Sequence, residues 1–205
     1  VSTVKELTSE LEAENAENIR LMNKLASLEA EREQLLKNIG SSLNSEEIDG
    51  LLRNRDYEYL RAGLVPVKGR GIVITMEDAP AIGELDAEEY IIHDNDINAI
   101  LDELKANGAE AVSINDERVI TTTKPVCAGP TIIVNDNRYP PPYVVKAIGN
   151  PDVLYEAVDT MVQVAFMRLM DIRINIEKKD EITVDRFHSF RSFEDMFKGL
   201  EVVEQ

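Results

Sequence analysis

From Val4 to Ile39 apolar residues recur on a seven-residue cycle. Val4, Leu11, Asn18, Leu25, Arg32 and Ile39 fall at the a position, and Leu7, Glu14, Leu21, Leu28 and Leu35 at d. Eight of these eleven positions are apolar, a pattern that predicts a coiled coil. Asn18 at a is the kind of polar residue that fixes register and favours two parallel strands, with Leu11, Leu21, Leu25 and Leu28 forming the seam around it. Lys24 at g and Glu29 at the following e can pair between parallel chains. A homodimer through this N-terminal helix is therefore expected; the alternative is a single long helix folded back on its own globular domain. At 1.5 Å per residue such a rod would be roughly 50 Å long.

Gly40-Ser41-Ser42 reads as a break and a hinge. A short helix should follow to about Leu60, with Asn44 and Glu47 at capping-box spacing. Gly63 should end it, and Pro66 suits an extended edge segment. Gly71 to Met76, GIVITM, is a β-branched apolar run with the length of a strand. Residues 77–89, acidic and carrying Pro80 and Gly83, read as a loop. Ile97, Ile100, Leu101 and Leu104 then give one apolar helical face, capped by Asp94 and ended at Gly108.

Past Gly108 the period changes from 3.6 to 2. Ala111 to Ile114 reads as a strand, Asn115-Asp116 as a tight turn, and Glu117 to Thr123 as the return. Thr131 to Val134 and Tyr143 to Ile148 are further strands, with Asn135 to Arg138 a loop between them. Asn150-Pro151 opens a helix expected to run unbroken to about Met170, burying Leu154, Val158, Met161, Val162, Ala165, Phe166 and Leu169. Ile172 to Ile176, a turn at Lys178-Lys179-Asp180, and Ile182 to Val184 form a terminal hairpin, after which the tail has no firm pattern. The expected organisation is a coiled-coil stalk (1–40), a hinge and short helix (41–68), an α+β domain (69–185) and a C-terminal tail (186–205). The expected fold is α+β, a ferredoxin-like sandwich of two main helices on a mostly antiparallel sheet.

Charge narrows the partners. With a formal net charge of −17 and no Trp, the long-range field repels phosphate backbones, and the usual stacking platforms are missing, so no nucleic-acid partner is expected. The single cysteine, Cys127, allows no internal disulfide and reads as a buried structural thiol in an apolar context. Lys68-Gly69-Arg70-Gly71 lacks the Gly-Lys-Ser/Thr ending of a phosphate loop and precedes a strand, so it reads as a turn. The chain starts at Val1 already in helical register, which points to a preceding segment; within the chain no apolar run is long enough to cross a membrane.

The concentrated polar cluster is His93, Asp94 and Asp96. Imidazole and carboxylates can ligate a metal, and a helix start attracts anions. The competing account makes Asp94 a cap, Asp96 a complement to the helix dipole, and His93 a partner for nearby backbone; it is preferred because consecutive residues rarely converge on one ion. Asn150, at the start of the later helix, could help hold a small anion but reads first as a cap. No nucleophile elbow is present, no catalytic residue is assigned and no cofactor is expected.

Gly69-x-Gly71-Ile72-Val73-Ile74-Thr75, Ile92-His93-Asp94-x-Asp96, Leu101-x-Glu103-Leu104, Gly108-Ala109-Glu110-Ala111-Val112-Ser113-Ile114-Asn115, Cys127-x-Gly129, Pro141-Pro142-Tyr143 and Ala147-Ile148-Gly149-x-Pro151 together resemble the bacterial YlxW/YlxX-type family. That family is a domain of unknown function sometimes labelled division initiation protein. The resemblance runs from about Glu58 to Val184 and departs at Asp116, where glycine is usual. It implies a single membrane-spanning helix upstream, a coiled coil, and an α/β domain outside the membrane, in proteins whose genes lie near cell-division genes. The expected function is accordingly a non-enzymatic, membrane-tethered, extracytoplasmic scaffold with an unidentified protein partner. The alternative is a domain binding a small ligand or metal, hydrolytic chemistry included, at His93, Asp94 and Asp96.

Overall fold

The computed structural model describes residues 2–43, 46–80, 90–188 and 199. The chain divides into two compact units, Val1–Tyr57 and Glu58–Gln205. In the first, helix α1 (Ser2–Leu43) is continuous for 42 residues. The break expected at Gly40-Ser41-Ser42 does not occur, since a glycine inside a helix costs only about 1 kcal/mol and a long helix absorbs it. Leu21, Leu25, Leu28, Leu35 and Ile39 are all exposed, between 47% and 55%. Asn18 is exposed too, while the side chain of Leu11 lies outside the described residues. Helix α2 (Glu46–Arg61) follows; the capping residue expected at Asn44 also lies outside the described residues. Arg55 of α2 reaches Glu33 of α1, its Nη2 donating to both carboxylate oxygens at 3.1 Å.

In the second unit the main sheet has the order β3-β2-β7-β1-β8 with every neighbouring pair antiparallel. Its strands are β1 (Val67–Glu77), β2 (Ala111–Ile114), β3 (Glu117–Arg118), β7 (Tyr143–Ile148) and β8 (Arg173–Val184). A separate three-stranded sheet, β4-β5-β6, comprises Val126–Ala128, Thr131–Val134 and Asn137–Tyr139. Helix α3 (Asp94–Ala106) joins β1 to β2, and α4 (Pro151–Asp159) with α5 (Val162–Leu169) joins β7 to β8. The protein is thus α+β with antiparallel sheets.

Alternation along the strands makes the core. Ile72, Ile74 and Met76 of β1 and Tyr143, Val145 and Ala147 of β7 are buried in one cluster with Ile97, Ile100, Leu101 and Leu104 of α3 and Leu154 and Val158 of α4. On the other face Ala111, Ile148, Ile182 and Val184 form a smaller cluster with Val67 and Val73. The sheet is tightest at Gly71, where a Cβ would lie 1.9 Å from the Ala147 carbonyl oxygen. Only glycine fits that approach.

Five expectations are corrected. The terminal hairpin is instead one twelve-residue strand, β8. It follows β1 along its length, with a register shift opposite Gly69 and Gly71 that places Lys178 and Lys179 in the ladder and not in a turn. Lys68 to Gly71, expected as a turn, lie inside β1. The long helix from Pro151 is two helices, because Met161 adopts extended backbone (φ −60°, ψ 134°). The break rotates the second helix, so that Val164 and Met167 are buried while Val162, Phe166 and Leu169 form an outward ridge, 85%, 46% and 73% exposed. The return strand β3 has two residues, not seven, and the loop expected at Asn135 to Arg138 is a turn leading into β6. Of the acidic loop, residues 81–89 lie outside the described residues.

Candidate functional site

At the start of α3 it is His93, not Asp94, that occupies the capping position, with extended backbone. Its N–H donates to Asp96 Oδ2 at 2.8 Å, while its ring Nδ1 is 4.0 Å from the same oxygen. The other Asp96 oxygen accepts from the Gln163 side-chain amide of α5. Asp96 is buried: one of its oxygens closes the first turn of α3 and the other fixes α3 against α5. Asp94, in the first turn, reaches out to β4: its Oδ2 accepts from the Cys127 N–H at 2.8 Å, and its own N–H donates to Cys127 Sγ at 3.2 Å. The Cys127 backbone bond holds the Asp94 carboxyl below its ordinary value. Asn98, one turn on, adds Nδ2–H bonds to the carbonyls of Asp94 and Pro125.

The cluster is therefore a joint that docks the small sheet and α5 on the start of α3. His93 and Asp96 border a cavity of about 320 Å³ with Gln163 and Phe166. A second cavity of about 320 Å³ is lined by Asp78, His93, Cys127 and Tyr143. Cys127 is exposed, not buried as expected, because a three-residue strand at the rim of a small sheet cannot cover its own side chains. Partial desolvation pushes its thiol up, and burial pushes the Tyr143 hydroxyl up to about 12. Both stay protonated at neutral pH, so neither is an activated nucleophile. Among the described residues no group of three or more His, Cys, Asp or Glu is placed to hold a metal ion.

Asn150 lies at the far end of the α3–α4 layer and caps α4, its Oδ1 accepting from the N–H groups of Asp152 and Val153 at 3.1 and 3.5 Å. It is not brought together with His93, Asp94 and Asp96 in either cavity around them.

A larger concavity, about 740 Å³, opens beside β2 and β3 and was not anticipated from sequence. Ala111, Val112, Val119, Ile120, Leu64 and Phe187 supply apolar walls, and Arg61, Lys105, Arg118 and Glu110 the charges. Arg118 is only 5% exposed. Its Nη1 donates to the carbonyls of Val65 and Asp185 at 3.4 and 3.2 Å. Its Nε and Nη2 find no acceptor among the described residues, and burial lowers the guanidinium's pKa. The available signal was an arginine two residues past the Asn115-Asp116 turn, in a hairpin whose other strand is apolar apart from Ser113.

A family model described as "Bacterial protein of unknown function (DUF881)" matches residues 55–196, well over half of the 205-residue chain. The chain belongs to this family. Its matched stretch holds every strand of the DUF881 domain, the α3 joint and the Arg118 concavity. The YlxW-type resemblance read from the motifs is borne out: the Bacillus subtilis (strain 168) protein described as UPF0749 protein YlxW is 32% identical over 138 residues, covering 66% of this chain and 60% of the relative. The Mycobacterium tuberculosis (strain ATCC 25618 / H37Rv) protein described as UPF0749 protein Rv1823 is 29% identical over 129 residues, covering 59% of this chain and 42% of the relative. The chain thus spans less than two thirds of the length of either. A crystal structure of an uncharacterized conserved protein from Mycobacterium tuberculosis superposes with a TM-score of 0.57 at 23% identity, over 71% of this chain and 96% of that one. This last likeness concerns the fold.

Proposed function

We propose that this DUF881 protein is a non-enzymatic scaffold that pairs two copies through α1 and presents the α+β domain, outside the cytoplasm, at a fixed distance from a membrane-anchored segment. The observation that carries the reading is the half-exposed seam Leu21, Leu25, Leu28, Leu35 and Ile39 along one continuous helix. Covering the exposed half of each of these side chains contributes about 0.7–1.5 kcal/mol, and a parallel partner of the same sequence covers them all at once. The domain reads as ferredoxin-like: strands β1, β2, β7 and β8, with α3 after the first and α4–α5 after the third, lie in the order β2-β7-β1-β8, the split βαβ arrangement. No helix among the described residues is long and apolar enough to cross a membrane. A link to the cell envelope and to division rests on the family resemblance.

Sedimentation equilibrium of the whole chain, beside a variant carrying Leu21→Glu, Leu25→Glu and Leu28→Glu, tests the pairing. The expected result is twice the 23.0 kDa chain mass for the native sequence and a monomer for the variant. Monomeric masses for both would overturn the reading.

A further inference from the structure

The 740 Å³ concavity beside β2 and β3 lies within the size range of sites for small apolar ligands. Its distinguishing feature is Arg118. Arg118 as a whole residue is 5% exposed, and a charge so little hydrated is costly unless an anion compensates it, yet among the described residues no carboxylate pairs with it. Only Nη1 is engaged, and by backbone carbonyls. What remains is the Nε–Nη2 edge, two parallel N–H groups spaced to take both oxygens of one carboxylate. Lys105 at the rim is tied only to the exposed Asp102, at 3.8 Å, a pair that solvent makes weak. Arg61 pairs with Glu58 at 3.3 Å. Glu110 is the one carboxylate among the lining residues, so cations outnumber anions here in a chain whose net charge is −17. Apart from Thr121 and Thr122 at the rim, the rest of the wall is apolar or glycine, from Ala111 and Val112 to Ile120 and Phe187.

We propose that this concavity binds a long-chain carboxylate, of the fatty-acid class, with its head on the free edge of Arg118 and its tail along the apolar wall. The site is separate from the α3 joint and does not depend on the pairing of α1. Binding is non-covalent, and charge selects the head while the wall selects the tail.

Calorimetric titration of sodium dodecanoate, below its micelle concentration, into the full chain tests this. Dodecyltrimethylammonium serves as a cation with the same tail, and acetate as the head alone. The expected result is saturable one-to-one binding of dodecanoate, with the two controls at least tenfold weaker, and amide chemical-shift changes confined to residues near 109–122. Arg118→Met should weaken binding at least tenfold. Because loss of a buried arginine can unfold the domain, two rim variants at solvent-facing positions carry the same test: Thr121→Trp should block the tail, and Lys105→Glu should weaken dodecanoate binding while sparing the cation. Absence of saturable binding overturns the proposal. So does equal binding of the cationic amphiphile, which would reveal a merely apolar patch, or undiminished affinity in both rim variants.

Discussion

Asp94 and Asp96 are separated by one residue and do different work. Asp96 is buried and closes the first turn of its own helix, whereas Asp94 reaches across to Cys127, 33 residues later. The second contact has a pH signature. Because the Cys127 N–H bond lowers the Asp94 pKa, its stabilisation is complete above the ordinary carboxylate value, about pH 4, and is lost as pH falls through the depressed folded value. Asp94→Ala should therefore cost about 1–2 kcal/mol at pH 7 and progressively less as the pH is lowered below about 4, measured by urea unfolding across that range. A constant difference across that range would exclude the ionic bond. Sequence spacing located this turn to within one residue but named Asp94 as the cap where His93 takes that place, since the two are adjacent and both have polar side chains. Nor could it foresee that Asp94 would be spent on β4, a contact made only by the fold.

Among the elements, those with a strong local period were legible. The faces of α3, of β5 and of β7 follow from their apolar spacing, and Asn150-Pro151 announced α4. What failed was decided by neighbours. Lys178-Lys179-Asp180 has the composition of a turn, yet β1 offers an extended template on which the two lysines pair, with Ile72 opposite Lys178 and Gly71 opposite Lys179. The apolar pattern after Pro151 continues smoothly past Thr160, so nothing in it marked the break that turns Val162 outward. Hydrogen exchange distinguishes the two forms of the C-terminal strand: in a continuous β8, amides of alternate residues from Ile176 to Thr183 are protected. A hairpin would exchange rapidly throughout Lys178 to Asp180.

At the scale of the whole molecule, Asn18 should decide between a specific pair and a loose one. In the proposed parallel dimer, Asn18→Leu removes a buried polar pair, so thermal stability rises while species larger than dimers appear in sedimentation velocity. An unchanged melting temperature and mass would place Asn18 outside any seam. That the N-terminal stretch is helical was legible from its apolar repeat, but its continuity past Gly40 was not, because glycine is only a mild penalty in so long a helix. The domain's sheet order and its Arg118 concavity depend on contacts far apart in sequence, where no local pattern reaches. The ridge of Val162, Phe166 and Leu169 bears on how such a body meets others. Covering its two most exposed side chains is worth roughly 3–6 kcal/mol, while bringing two free bodies together costs about 4–15 kcal/mol. Acting alone, the ridge holds nothing for long; joined to a second point of attachment that has already met that entropic cost, it becomes a grip.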